Sequence, residues 1–177
     1  MSVDGDKEME LKNISYYKVI LSQLRIAKFF GHNFLVLVDE TGAVTSELNG
    51  LATSKNGKTK PLGYLPSDRL KAYEFRKAYF YKNTQQQITL LNADKEIILH
   101  KWNVALKAVN LINIKNHPYP LFGLGKNSNS VASTLIRCMG LYESKIPRGV
   151  IAPFSGKMVL SESEIKKLQD ELMAEEH

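Results

Sequence analysis

Apolar residues follow one another without interruption from Phe34 to Val38 in His32-Asn33-Phe34-Leu35-Val36-Leu37-Val38-Asp39, the clearest strand signal in the chain. A continuous run of this kind implies a strand buried on both faces. Asp39-Glu40-Thr41-Gly42 then carries a turn signature, and Ala43–Asn49 returns as a second strand. If the turn pairs Asp39 with Gly42, Val36 lies opposite Thr45 and His32 opposite Asn49. Directly opposed residues share a face, so an imidazole and an amide meet at the open end of this hairpin. A slip of one residue would undo the pairing.

The other elements are read in the same way. Ile14–Leu24 is rich in Tyr, Val and Ile and reads as a strand, with a helix as the alternative, and Arg25–Gly31 as a loop. Leu51–Pro66 collects Gly, Ser, Asn, Lys and Pro, the signature of a long exposed loop. Leu70–Tyr81 and Gln85–Leu91 read as strands. The aromatics Tyr73, Phe75, Tyr79, Phe80 and Tyr81 suit a half-buried sheet, and a base-stacking platform is the alternative. The helical period appears at Asn92. Asn92 is expected to cap, and Ile98, Trp102, Ala105, Leu106, Val109 and Ile112 form one stripe that ends before Asn116-His117-Pro118-Tyr119-Pro120.

A second helix is expected from about Ser130 to Gly140, with an irregular stretch over Pro147–Gly156. Ser161 and Glu164 make a capping box for a last, polar helix running to Glu175. The pattern predicts an α+β fold, a mainly antiparallel sheet packed against helices. Residues 1–13 read as a flexible leader, 14–160 as one domain and 161–177 as the C-terminal helix.

Composition narrows the functional classes. A chain of 177 residues with 44% hydrophobic and 24% charged positions matches one globular domain with a substantial core. One cysteine excludes an internal disulfide framework, and no Cys/His spacing suits zinc, so neither metal nor cofactor is expected. No apolar run reaches membrane-spanning length, and the acidic, polar Met1–Asn13 is not a signal peptide. The expected setting is the cytoplasm, or export without such a peptide. The formal net charge of +6 invites a nucleic-acid reading, but outside Arg69–Lys82 the cations are scattered, which leaves nucleic acid an unlikely partner.

Candidate chemistry concentrates at Gly123-Leu124-Gly125-Lys126-Asn127-Ser128-Asn129-Ser130-Val131, a polar loop delivered to the first turn of a buried helix. The orphan N–H groups and positive dipole end of that turn favour developing negative charge. Ser128 is therefore either a nucleophile or, with Asn129, simply a helix cap. Gly125-Lys126 is not a phosphate loop, because Pro120 stands where the motif needs its first glycine. Cys138 lies deep in the helix and reads as a small buried hydrophobe rather than a nucleophile.

Among the histidines, His177 is terminal and His100 sits on an amphipathic helix. His117, in the proline-rich loop, is an alternative base. His32 is favoured because it starts a buried strand with Asn49 beside it to set its tautomer; a histidine satisfied by backbone is the structural alternative.

A histidine opening a Leu/Val-rich strand, a polar residue on the returning strand, a long insert and then Asn127-Ser128-Asn129-Ser130-Val131 opening a helix resembles the circularly permuted papain-like superfamily. That group includes NlpC/P60-type peptidases, lecithin:retinol acyltransferase-like proteins and PPPDE-type proteins. Some permuted members read Asn-Cys-Asn-His-Phe at the nucleophile. The resemblance covers roughly residues 15–141 and implies Ser128 as nucleophile, His32 as base and Asn49 as its orienting partner. Backbone N–H groups at Ser128–Ser130, with Asn127 or Asn129, would hold the oxyanion.

The implied activity is hydrolysis or acyl transfer at an amide- or peptide-type bond, with bacterial peptidoglycan as one analogy. Serine in place of the family's cysteine removes an easily ionised thiol, so the hydroxyl needs a base acting in concert with attack. It also opens the alternative of an inactive binding or toxin-like module, whose partner would be a protein.

Overall fold

The computed structural model describes residues 15–174, so the expected leader, Glu175 and His177 lie outside the described residues. The architecture is α+β, with a six-stranded antiparallel sheet and three helices packed against it among those residues. The strands are β1 (Tyr16–Arg25), β2 (Gly31–Val38), β3 (Val44–Thr53), β4 (Thr59–Lys60), β5 (Arg69–Phe75) and β6 (Gln86–Asp94). The helices are α1 (Lys95–Lys115), α2 (Ser128–Cys138) and α3 (Glu162–Ala174). Strands β6, β1, β2 and β3 lie side by side, and β4 and β5 both pair with the far half of β3.

Every residue of β2 is buried, as its unbroken apolar run implies. Leu35 and Leu37 join the main core with Ile98, Trp102, Ala105 and Ile112 of α1 and Val131 and Leu135 of α2. Phe34, Val36 and Val38 point the other way and pack with Ile20, Phe80 and Tyr81.

The hairpin differs from the sequence expectation in register. The Asp39 N–H bonds the Ala43 carbonyl, and Asp39 Oδ1 accepts from the Thr41 and Ala43 N–H groups. Gly42, at φ 85°, supplies the left-handed residue that a three-residue hairpin loop requires. The turn is thus one residue longer than a two-residue connection between Asp39 and Gly42. A further offset falls between Leu37 and Val38, so Val36 opposes Glu47 rather than Thr45. Each single step exchanges the faces, and the two together restore them.

Other boundaries moved for identifiable reasons. Asn92 stays in β6 opposite Lys18 and does not cap; the ladder to β1 continues through Asp94, and α1 begins only at Lys95. β3 runs on through Leu51–Thr53, because β5 offers it partners, and the exposed loop expected there is shortened. β5 stops at Phe75. The stretch Arg76–Tyr81 leaves the sheet, and the N–H groups of Tyr79, Phe80 and Tyr81 turn to the Glu47 carboxylate. Phe75 and Tyr79 stack on each other, with ring centroids 3.9 Å apart. The capping box at Ser161 and Glu164 is present at the start of α3. No helix is long and apolar enough to cross a membrane among the described residues.

Candidate active site

β2 and β3 are laddered from Leu35↔Leu48 to Val38↔Val44, and beyond Leu35 they part. Gly31–Asn33 keeps its pairing to β1 on one edge. On the other edge the first turn of α2 takes the place of a strand. The Asn129 amide accepts from the Asn33 N–H at 2.7 Å and donates to the Gly31 carbonyl at 3.1 Å, so it brackets His32. Its Nδ2 also donates to the Pro153 carbonyl. Gly50 of β3 lets α2 approach closely, since a Cβ there would lie 2.6 Å from the Val131 side chain and 3.0 Å from Ser128 Cα. Two segments 96 residues apart are joined in this way.

His32 is 1% exposed, stacked against Phe34 and met edge-on by Phe80. Its Nε2 lies 2.8 Å from Asn49 Oδ1. The contact is diagonal: extending the observed register puts Asn49 opposite Phe34, on the face that His32 shares. Asn49 Nδ2 donates in turn to Glu47 Oε1 at 2.6 Å. Glu47 is fully buried, and its oxygens collect the backbone N–H groups of Tyr79, Phe80 and Tyr81. His32 Nδ1 has no hydrogen-bond partner among the described residues. Burial pushes the His32 pKa down to about 4, against a smaller opposing pull from Asn49, so the ring is neutral near pH 7.

Ser128 is the first residue of α2 and not its cap. Asn127 holds the N-cap position, its side chain accepting from the first-turn N–H groups of Asn129 and Ser130, while the Ser130 hydroxyl accepts from the Asn127 N–H. Ser128 Oγ is 3.2 Å from the Tyr119 hydroxyl and 3.5 Å from the Pro61 carbonyl, and makes no hydrogen bond to His32. Tyr119 is buried, and lost hydration raises its pKa, partly offset by Ser128. It therefore remains a phenol able to donate.

The expected oxyanion donors are mostly committed elsewhere. The Asn129 and Ser130 N–H groups are used by the Asn127 cap, the Asn129 amide braces β2, and Ser130 Oγ donates to the Phe154 carbonyl. The Ser128 N–H, which faces the Tyr119 oxygen, and the Tyr119 hydroxyl itself remain beside Ser128 Oγ.

His32, Ser128 and Tyr119 line one cavity of about 270 Å³. Its walls are otherwise largely apolar, with Ile26, Phe30, Leu62, Phe122 and Leu124 prominent, and no charged side chain lines it. The alternative base His117 lies elsewhere, in a shallow depression with Pro118, Pro120 and Lys126. There burial and the charges of Lys115 and Lys126 lower its pKa, opposed by a smaller pull from Glu164. Cys138 is buried, and desolvation pushes its thiol up to about 12. No group of three or more His, Cys, Asp or Glu converges as a metal site among the described residues.

Sequence reasoning passed over two members of this cluster. Glu47 had a signal, since a charged residue two positions before Asn49 shares its face and points inward. Tyr119 had none, because only the tertiary path of the proline-rich loop brings it to Ser128. Comparison with family models, with curated proteins and with solved structures returns no match.

Proposed function

We propose that this chain is a permuted papain-like acyl-transfer protein, a hydrolase or acyltransferase, in which Ser128 attacks a carbonyl and His32 is the base. One observation carries the reading: a buried, neutral imidazole held at Nε2 by Asn49 keeps its other nitrogen unpartnered, and its residue borders the same cavity as Ser128 on the first turn of a helix. The order of the parts supports it too, with the histidine strand, the asparagine strand and then the nucleophile helix.

When an acyl group enters, Ser128 Oγ exchanges its Tyr119 contact for His32 Nδ1. Oγ bonds the carbonyl carbon as its proton passes to Nδ1. The Ser128 N–H and the Tyr119 hydroxyl hold the oxyanion. Collapse expels the amine or alcohol, which takes the proton from Nδ1. Water or a second acceptor, deprotonated in turn by Nδ1, then removes the acyl group from Oγ. The uncharged, largely apolar walls suit a neutral acyl group better than the carboxylate-bearing peptides of peptidoglycan.

The test is labelling by an alkyl fluorophosphonate, whose phosphorus is attacked as the carbonyl would be. Wild type is expected to label at Ser128, and Ser128→Ala and His32→Gln to lose the label while melting like folded proteins. A second measurement uses Ser128→Cys. The thiol that this change introduces is expected to react with iodoacetamide at pH 6 at least about tenfold faster than an ordinary cysteine, given a helix N-terminus and an imidazole beside it.

The second reading is a binding module for the same apolar group without turnover. It is favoured by one contact: Ser128 Oγ is turned to Tyr119. No labelling of wild type, together with an ordinary thiol in Ser128→Cys, would select it.

A further inference from the structure

We infer that Glu47 is a positioning residue that sets the tautomer of His32 through the Asn49 amide, so that the carboxylate, two side chains away, decides which imidazole nitrogen is basic. A carboxylate can only accept hydrogen bonds. Glu47 Oε2 is occupied by the Tyr79 and Tyr81 N–H groups at 2.8 and 3.1 Å, and Oε1 takes the Phe80 N–H at 3.0 Å and faces Asn49 at 2.6 Å. Whatever Asn49 presents to Glu47 must therefore be its donor end, Nδ2. The amide has one donor end and one acceptor end, so Oδ1 is turned to His32. An acceptor at 2.8 Å requires a proton on Nε2. A neutral imidazole protonated at Nε2 has its lone pair on Nδ1, the nitrogen with no partner.

Each orientation follows from the one before it, and the series starts at Glu47. The anchor at its far end is threefold, the backbone N–H groups of the consecutive residues Tyr79, Phe80 and Tyr81. The middle one carries the ring that packs edge-on against His32. The same loop thus fixes both the carboxylate and the wall behind the imidazole.

Glu47→Gln should reverse the series. The side-chain oxygen of the glutamine is needed by the backbone N–H groups, which leaves its NH₂ facing Asn49. Asn49 must then turn its own oxygen to that NH₂ and its Nδ2 to His32. Nε2 becomes an acceptor and the proton moves to Nδ1. The nitrogen that was a lone pair is now a donor and cannot take a proton from Ser128. The double variant Glu47→Gln/Asn49→Asp should restore the starting state, because the new carboxylate accepts both from the glutamine NH₂ and from His32 Nε2–H. The effect on catalysis rests on the acyl-transfer reading above, whereas the tautomer does not.

The experiment is ¹⁵N NMR of the histidine side chains in the full chain at pH 7, with His32 identified by the loss of its signals in His32→Gln. Wild type is expected to show the neutral Nε2–H tautomer, Glu47→Gln the Nδ1–H tautomer, and the double variant Nε2–H again. Fluorophosphonate labelling, if wild type labels, should fall on the order of 10⁴-fold in Glu47→Gln, the scale of a base locked in the wrong tautomer. It should return in the double variant. An Nδ1–H tautomer in wild type overturns the inference without any variant, even if Glu47→Gln fails to fold. So does a folded Glu47→Gln that keeps Nε2–H. Tautomers that switch as described in a protein that never labels would sustain the inference and sink the catalytic reading alone.

Discussion

At His32 the ring is fully buried and Asn49 is its one polar partner among the described residues, so lost hydration dominates its affinity for a proton. The sign of the pH dependence follows. Above about pH 6.5 the imidazole is neutral whether the chain is folded or not, and it contributes nothing to the pH dependence. Below that, the unfolded chain takes up a proton that the folded ring refuses until about pH 4. Stability is therefore full above 6.5 and falls as the pH drops towards 4, by about 3 kcal/mol for this residue. Urea unfolding of wild type and His32→Gln at pH 7, 5.5 and 4 measures it, and the difference between the two curves should shrink across that window. Cys138 is expected to behave in the opposite manner to a reactive thiol. Buried, and with its pKa pushed up to about 12, it should resist a thiol reagent at pH 8 until the protein is unfolded by denaturant.

The first turn of α2 is held by two asparagines with different duties. Asn127 caps, and Asn127→Ala should cost about 1 kcal/mol, as ordinary caps do. Asn129 has no slack: its one amide satisfies two buried backbone groups of β2 and the half-buried Pro153 carbonyl. Asn129→Ala leaves buried groups unpaired and should cost about 3 kcal/mol or more. Urea midpoints of the two variants rank them, and equal losses would mean that the bracket around His32 is not a real constraint. Gly50 is the matching feature on β3. Gly50→Ala puts a methyl into the Val131 side chain and against Ser128 Cα, and overpacking of this kind costs about 1–3 kcal/mol. Because the relief available is movement of α2, fluorophosphonate labelling of Ser128 should drop along with the melting temperature.

Across the whole molecule, the sheet and the helices were legible because each carries its own period. The unbroken apolar run gave β2, the 3.6-residue stripe gave α1, and the Ser161–Glu164 box marked the start of α3. What failed was decided by partners distant in sequence. Asn92 has the chemistry of a cap, but β1 keeps it in the ladder, and Tyr79–Tyr81 have the chemistry of a strand, but Glu47 draws their N–H groups away. The candidate site divided along the same line. His32 and Asn49 were visible as a pair because both lie in one hairpin, while Tyr119 and the bracing duty of Asn129 needed the tertiary fold.

The hairpin reached the expected pairing by a different route, and that route has a bearing on how such a chain can change. A longer turn and a bulge each displace β3 by one residue, and only their sum leaves Asn49 on the imidazole's side. What the site depends on is the spacing along the paired strand, not the length of what joins the strands. Losing one residue from the loop, or the extra residue at the bulge, leaves the same residues facing each other and Asn49 on the imidazole's side. Losing one between Ser46 and Leu48, in laboratory or lineage, would present Gly50 where the amide belongs, with the strands still paired and the fold outwardly intact. Length variation should thus be inherited in the loop and at the bulge, and a chain shortened between Ser46 and Leu48 should be one that has given up the imidazole–amide contact.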